Sequence, residues 1–391
     1  MIDINNFKKV HLVGIQGSGL SSLAKAFESR GIMVSGSDTN LVGHKKENVP
    51  NNADCLIYTV AAEANNPEIL RAKELRIPTF SYPEILGQIS QTLFTIAIAG
   101  THGKTTTTNM IGKILTDMDL DPLVIAGSPM QDGRDMYGKG KYFVVEACEY
   151  KRSFLNIHPD IAIITNIDND HLDYYKNRGD IENAFNEFIG NLKEGGKVIK
   201  DFQNLEYQKM LNLKIPGEHN IKNAMKALEA ALELGVGAEA AIKSLNDFPG
   251  VERRFEFKGK NNNGALIFDD YAHHPTEVEA TLLAAREKYP DLKLVVFFQP
   301  HLYSRTKDHL DQFAEKLKIA DEVILLPIFA SREKFDSSIK SEDLAEKINK
   351  TGGKAKVMSM DETSAYIKIL PHNSIALTMG AGDINKVSDF G

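Results

Sequence analysis

The residues Gly100-Thr101-His102-Gly103-Lys104-Thr105-Thr106 set two glycines, a lysine and hydroxyls between a short apolar run, Ile96 to Ala99, and a helical pattern reaching about Met118. Glycines let backbone N–H groups approach an anion. A helix N-terminus adds its dipole, Lys104 can reach outer phosphates, and Thr105 can hold Mg²⁺. Strand, glycine loop, Lys-Thr and helix together predict a nucleotide-phosphate cradle. The loop is of a shorter kind than Gly-x-x-x-x-Gly-Lys-Thr, because Ile98 stands where that pattern has its first glycine. The bland alternative is a glycine-rich turn with a fortuitous lysine. In the cradle reading, the Lys104 charge serves a transferring phosphoryl group more than any core contact.

Other chemistry-bearing residues fall at predicted strand ends. Glu146 closes an apolar run from Tyr142, and Asp168-Asn169-Asp170-His171 follows Ile161 to Asn166. Ligands in open α/β sheets sit at the carboxyl ends of strands. Glu146 and His171 are therefore candidate Mg²⁺ ligands, although imidazole is an unusual ligand for so hard a cation. Alone, His171 reads equally well as a loop histidine bonded to a carboxylate. Gly217 to Asn223 opens a helix in which Asn220 can be the N-cap, whereas capping does not explain Asn223. Further on, Arg253-Arg254, Asp269-Asp270-Tyr271-Ala272-His273-His274-Pro275 and Gln299-Pro300-His301-Leu302-Tyr303-Ser304-Arg305 gather more ionisable groups, the last two again after predicted strands.

The elements that must position these groups alternate strand and helix along the chain. Val10 to Ile15 is a strand. Gly14, Gly17, Ser18 and Gly19 turn it into a helix with Leu20, Leu23, Ala24 and Phe27 on one face, and the next strand ends in Ser37-Asp38. This βαβ unit ends in an acid as dinucleotide-binding folds do, but Gly-x-x-Gly-x-Gly is not their fingerprint. A phosphate-containing ligand fits the turn better than NAD(P), and a purely structural turn is the bland reading. Boundaries near Gln91 and at Pro249-Gly250 divide the chain into three α/β regions, 1–92, 93–248 and 249–391. Asn261-Asn262-Asn263-Gly264 predicts a hairpin turn.

Composition bounds the partners. The 391 residues carry a net charge of −7, which leaves no electrostatic footprint for nucleic acid. Two cysteines, Cys55 and Cys148, each in an apolar run, read as reduced core residues. A strand starts by Val10 and no apolar run is long enough to cross a bilayer, so a cytoplasmic protein without membrane association is expected.

Taken together, Ala99-Gly100-Thr101-His102-Gly103-Lys104-Thr105-Thr106, Glu146-Ala147-Cys148-Glu149-Tyr150, Asn166-Ile167-Asp168-Asn169-Asp170-His171, Gly217-Glu218-His219-Asn220-Ile221-Lys222-Asn223-Ala224 and Asp269-Asp270-Tyr271-Ala272-His273-His274-Pro275 resemble, in this order, the Mur ligases. With Gln299-Pro300-His301 and Gly14 to Gly19, the pattern is similar to the member that adds the first amino acid. The resemblance covers nearly the whole chain. It implies a Rossmann-like N-terminal domain for a UDP-sugar, a central P-loop ATPase-like domain, and a Rossmann-like C-terminal domain that closes over amino acid and nucleotide. It implies joining of L-alanine to the carboxylate of UDP-N-acetylmuramate with ATP and Mg²⁺, in peptidoglycan precursor synthesis. The expected assembly is a monomer or weak homodimer.

Residue by residue, the resemblance implies that Gly100, Thr101, His102, Gly103, Lys104, Thr105 and Thr106 hold the ATP phosphates. It implies Mg²⁺ on Thr105 and Glu146, and a second Mg²⁺ near His171. Asn220 and Asn223 would face adenine, Arg254 the phosphates and Asp270 the ribose. His274 and Arg305 would face alanine, and Gly14, Gly17, Ser18, Gly19, Ser37 and Asp38 the UDP part. Lys104, His171, His274 and Arg305 are the implied catalytic set. Some members carry a second Arg where Leu302 stands. The chain is also short after Asp38 and between Val198 and Gly217, where a stretch of sheet is expected to be missing. Later members carry a carbamylated lysine on the helix after the Asp-His motif, but Asp180 to Leu192 contains none. Rival readings are a ligase that adds a ready-made tripeptide, a nicotinamide-dependent oxidoreductase, and a non-catalytic nucleotide-binding regulator.

Overall fold

The computed structural model describes residues 4–171, 174–331 and 333–388. They separate into two compact units: residues 1–213 with 221–248, and residues 214–220 with 249–391.

The first unit holds two parallel sheets. The smaller comes from β1 (Lys9–Val13), β2 (Met33–Ser37), β3 (Cys55–Tyr58) and β4 (Thr79–Ser81), in the order β2-β1-β3-β4. Its helices are α1 (Ser18–Ser29), α2 (Pro67–Glu74) and α3 (Tyr82–Thr92). Helix α1 buries Leu20, Leu23, Ala24, Ala26 and Phe27, the face predicted from spacing plus Ala26. Asn66 caps α2 by accepting the Glu68 N–H, with Pro67 at the first helical position.

The larger sheet comes from β5 (Phe94–Ala99), β6 (Leu123–Ile125), β7 (Tyr142–Glu146), β8 (Ile161–Ile164) and β9 (Lys197–Ile199). Its order is β6-β7-β5-β8-β9. From β5 the chain runs to the edge strand β6, returns through β7 beside β5, and then crosses to β8 and β9 on the other side. The carboxyl ends of β5, β7 and β8 therefore meet at a topological switch point, where an α/β sheet opens a crevice. Helices α4 (Lys104–Asp117), α5 (Arg178–Gly190), α6 (Leu205–Met210), α7 (Glu218–Glu233) and α8 (Ala238–Asn246) follow these strands. Helix α5 buries Ile181, Ala184, Phe185 and Phe188, and Phe154 stacks on Phe188 at 4.8 Å and meets Phe185 edge-on at 5.2 Å. Such aromatic pairs contribute about 0.5–1.5 kcal/mol each beyond area burial. One apolar core runs through both sheets, joining Val10, Phe27 and Ile85 to Ala97, Phe143 and Phe185. Gly87 is required where α3 meets the short 3-10 helix Tyr150–Asn156 that follows β7: a Cβ there would lie 2.4 Å from the Asn156 carbonyl.

The short segment after Asp38 is tied down from beneath. Glu68, fully buried on α2, accepts from the Lys45 N–H at 3.0 Å, Asn48 Nδ2 at 2.6 Å, Ser37 Oγ at 2.7 Å and His11 Nε2 at 3.0 Å. Burial pushes this carboxyl up, but the four donors outweigh it and hold it down at about 2.

The second unit has one six-stranded sheet, in the order β10-β11-β15-β12-β13-β14. The strands are β10 (Glu256–Lys260), β11 (Leu266–Asp270), β12 (Lys293–Phe298), β13 (Glu322–Leu325), β14 (Ala355–Val357) and β15 (Ser374–Met379). Only the β10–β11 pair is antiparallel, and it is joined through the predicted Asn261–Gly264 turn. Helices α9 (Pro275–Lys288), α10 (Tyr303–Asp308), α11 (Leu310–Leu317), α12 (Ser341–Lys350) and α13 (Met360–Ile369) complete it. Val296, Phe298, Leu325 and Leu377 fill one face of the sheet and Val295, Phe297, Ile324 and Ala376 the other, as expected for parallel strands covered on both sides. Among the described residues, no helix is long and apolar enough to cross a membrane.

Two sequence expectations change. Cys148 is exposed, while Cys55 is buried as expected. It lies beyond the end of β7, where the apolar run has already left the sheet. Helix α7 begins at Glu218, so Asn220 is inside its first turn and is not the N-cap. Its Nδ2 instead donates to the Pro216 carbonyl at 2.7 Å.

Candidate active site

In the first unit the glycine loop leaves β5 at Gly100 (φ +135°) and enters α4 through Gly103 (φ +82°). Both backbones need glycine. At Gly100 a Cβ would lie 2.0 Å from Thr165 Oγ1, and at Gly103 2.7 Å from Asn223 Oδ1. The end of β8 staples the loop. Asn166 accepts the His102 N–H and donates to the His102 carbonyl, both at 2.9 Å, and its own carbonyl accepts the Thr101 N–H at 3.1 Å. Thr101 Oγ1 accepts the Asp168 N–H at 2.9 Å, and His102 Nε2 lies 3.4 Å from Asp168 Oδ2. Thr106 is buried within α4.

Lys104 folds back over the loop. Its Nζ donates to the carbonyls of Gly100 at 2.5 Å and Thr101 at 3.0 Å and lies 2.9 Å from Glu149 Oε2. Burial alone would push its pKa down, but Glu149, foremost among the anions around it, raises it above the ordinary lysine range. Next to it, Thr105 Oγ1 and the Gly127 N–H each donate to Glu146 Oε2 at 2.8 Å. A hydroxyl and a carboxylate thus share one point at the mouth of α4, a hard oxygen donor set of the kind that Mg²⁺ takes alongside phosphates and water. His171, in the left-handed region (φ +56°), sets its Nε2 3.8 Å from Glu149 Oε1 and 3.8 Å from Asp170 Oδ2. Its ring lies 4.7 Å from that of Tyr150.

The first glycine turn has its own support. Gly14 (φ +86°) donates its N–H to the Ser37 carbonyl, Gly17 donates to Gly14, and the Gln16 N–H donates to Asp38 Oδ2 at 3.1 Å. Ser18 opens α1. Gly19 lies under Tyr82, whose ring carbon a Cβ would meet at 2.6 Å. Ser37 is fully buried and its hydroxyl donates to Glu68. The hydroxyl anchors the following loop, and Asp38 beside it holds the turn.

In the second unit, Asp270 is buried at the end of β11. It accepts from the Phe255 N–H at 2.7 Å, the Ala272 N–H at 2.8 Å and Thr281 Oγ1 at 3.3 Å. Burial pushes its carboxyl up to about 6, against the opposing pull of Arg254 and these backbone donors. Arg254 stands 5.1 Å over the Tyr271 ring and 3.9 Å from Glu277. His274 is buried as the N-cap of α9, accepting the Thr276 N–H at 3.4 Å, and its ring lies 5.0 Å from His309. Arg305, on α10, reaches His301 Nδ1 at 3.4 Å.

This order of motifs is that of known proteins. The Mur ligase family, catalytic domain matches residues 9–93; the Mur ligase middle domain matches 98–212; and the Mur ligase, glutamate ligase domain matches 253–382. The chain is 38% identical over 447 aligned positions to the UDP-N-acetylmuramate–L-alanine ligase of Clostridium acetobutylicum, covering 98% of this chain and 97% of that one. It belongs to the Mur ligase family. The ligase of the same name from Acetivibrio thermocellus is also 38% identical, covering 100% and 97%. The crystal structure of UDP-N-acetylmuramate–alanine ligase MurC from Thermotoga maritima superposes with a TM-score of 0.79 at 27% identity, over 97% of both chains. A murein peptide ligase from Psychrobacter arcticus shares the fold, with a TM-score of 0.64 at 23% identity over 97% of both.

The alignment to the Clostridium relative runs to 447 positions against 391 residues here, so that relative carries segments this Mur ligase lacks. Sequence reasoning assigned no role to Glu149, although this Mur ligase pairs it with Lys104. Its spacing from Glu146, Glu-x-x-Glu off a strand end, was the available signal. Lys226 was also unassigned. It is buried on α7 one turn after Asn223, and its Nζ donates to the Thr165 carbonyl at 3.0 Å, beside the residues that staple the loop.

Proposed function

We propose that this Mur ligase joins L-alanine to the lactoyl carboxylate of UDP-N-acetylmuramate, with ATP cleaved to ADP and phosphate. The single observation that carries this reading is 38% identity, across essentially the full length of both chains, to ligases of that name. Neither the tripeptide-adding reading nor the oxidoreductase reading has an observation in its favour.

The chemistry follows from the groups present. A carboxylate is a poor electrophile. Its attack on the γ-phosphorus of ATP forms an acyl phosphate and releases ADP. The amine of alanine then attacks the acyl carbon, loses a proton, and the tetrahedral intermediate expels phosphate. Lys104 offsets charge on the γ-phosphoryl oxygens in flight. Gly100 and Gly103 allow close approach of backbone N–H groups to the phosphates. Thr105 and Glu146 are the residues that would hold Mg²⁺, which neutralises phosphate charge when bound. His171 would serve a second ion near the acyl phosphate. Asn220 and Asn223 are assigned to adenine, Asp270 to the ribose, Arg254 to phosphate and His274 and Arg305 to alanine. In this scheme residues 1–92 bind the UDP-sugar, 93–248 bind ATP and 249–391 close over the amino acid and the nucleotide.

The test is phosphate release with ATP, Mg²⁺, UDP-N-acetylmuramate and a panel of amino acids. Release is expected only with sugar nucleotide and amino acid together, fastest with L-alanine. Equal release without the sugar nucleotide would overturn the proposal.

A further inference from the structure

The segment that carries Arg305 is held in an unfavourable backbone. Leu302, the residue before α10, has φ +70° and ψ +137°. A side-chain-bearing residue there is strained and persists only where its surroundings over-determine it. Leu302 is also the N-cap of a helix of only six residues, and an aliphatic side chain has no oxygen to offer the first N–H groups.

A separate loop supplies what Leu302 lacks. Glu333, between β13 and α12, accepts the Tyr303 N–H at 2.6 Å and the Ser304 N–H at 3.2 Å on Oε2, while Ser304 Oγ donates to Oε1. The same loop pairs with the strained turn through its backbone: the Leu302 N–H donates to the Phe329 carbonyl at 2.9 Å, and the Phe329 N–H donates to the Pro300 carbonyl at 2.8 Å. The rings of Phe329 and His301 stack at 5.8 Å. One carboxylate thus terminates the helix N-terminus with a negative charge, the favourable sign there, and fixes the turn from which Arg305 projects.

We infer that Glu333 is the positioning residue for Arg305. It caps, from another loop, the short helix that aims the guanidinium at the substrate carboxylate. This rests on the assignment of Arg305 to the amino acid. An arginine fork placed loosely binds a carboxylate poorly, so the loop carrying Glu333 tunes amino-acid affinity without touching the amino acid.

The experiment compares Glu333→Ala and Glu333→Gln with the wild-type protein, measuring KM for the amine substrate that the wild type uses, KM for ATP, kcat and the melting temperature. Glu333→Ala is expected to raise KM for the amine about tenfold, the loss of one charge-assisted set of hydrogen bonds, with kcat and KM for ATP within about twofold. Glu333→Gln keeps an acceptor oxygen and should recover most of the loss. If Glu333→Ala does not fold, Ser304→Ala removes one bond to the same carboxylate and should raise the same constant about threefold. An unchanged KM for the amine, or a rise matched by that for ATP, would overturn the inference. Failure of the function proposal shows separately, in the wild type, as an amine other than L-alanine or no amine dependence at all. In the latter case, hydrogen exchange of the Tyr303 and Ser304 amides, expected to quicken in Glu333→Ala, decides the capping role.

Discussion

The Lys104 ammonium lies 2.9 Å from the buried Glu149 carboxylate. The lysine at the helix mouth, proposed above as a phosphate ligand, is therefore also half of an ion pair. This changes what its removal does. Lys104→Ala is expected to abolish turnover and also to cost about 3–5 kcal/mol of stability, because it leaves the Glu149 charge buried and unpaired. Lys104→Met with Glu149→Gln should restore stability in urea denaturation while turnover stays lost. A Lys104→Ala protein as stable as wild type would contradict the pair.

Glu146 Oε2 collects donors from both Thr105 and Gly127. Glu146→Ala is expected to leave almost no phosphate release at any magnesium concentration. Thr105→Val should remain active and need several-fold more Mg²⁺ for half-maximal rate. A titration of rate against Mg²⁺ for each variant checks both.

The second ion site is expected to work without a carbamate. Helix α5, Arg178–Gly190, contains no lysine. Lys193, just past its end, donates to the Leu93 carbonyl at 2.7 Å and to Asp160 at 2.8 Å. Activity in buffer stripped of carbon dioxide should not respond to added bicarbonate. Restoration by bicarbonate would refute this account.

Asp270 predicts a pH dependence of nucleotide binding. Burial raises its carboxyl to about 6, so the folded protein holds that proton more tightly than the unfolded chain. Stability from this group is therefore greatest in acid and falls as pH rises from about 4 to 6. Acceptance of ribose hydroxyls favours the ionised form, so KM for ATP should rise as pH falls through 6. Asp270→Asn should flatten both profiles. An ATP constant independent of pH between 5 and 8 in the wild type would contradict the ribose assignment.

Arg305→Ala should raise KM for L-alanine far more than that for ATP. A bidentate, charge-assisted contact is worth about 1.5–3 kcal/mol, or one to two orders of magnitude. The neighbouring Leu302 is buried and apolar and offers no substitute cation. Initial rates at fixed ATP and varied alanine decide it.

Local pattern and chemical type carried much of this molecule into view. The buried faces of α1 and α5, the glycine loop that opens α4 and the Asn261 hairpin all depend on residues within a turn or two of one another. Glu149, Glu68 and Glu333 were not legible in that way. Each acts on partners 20 to 60 residues distant or across a loop, and no periodicity announces such a pairing. Ser37 shows the converse: its type and place beside Asp38 suggested a ligand contact, and only the fold turns its hydroxyl inward to Glu68. Cys148 was misread because an apolar run does not reveal where its strand stops.

Glu68 gathers onto one carboxylate what a longer segment would distribute among many weak contacts. A segment secured in this way does not loosen by degrees. Ionised down to about pH 2, the carboxylate contributes its full stabilisation above about pH 4.5 and loses it only as the medium becomes strongly acidic. Genetically the situation is reversed. One codon change at position 68 would therefore weaken together the strand end, the helix and the shortened loop that meet there, leaving the loop to ties such as Asn48 to the Gly43 carbonyl.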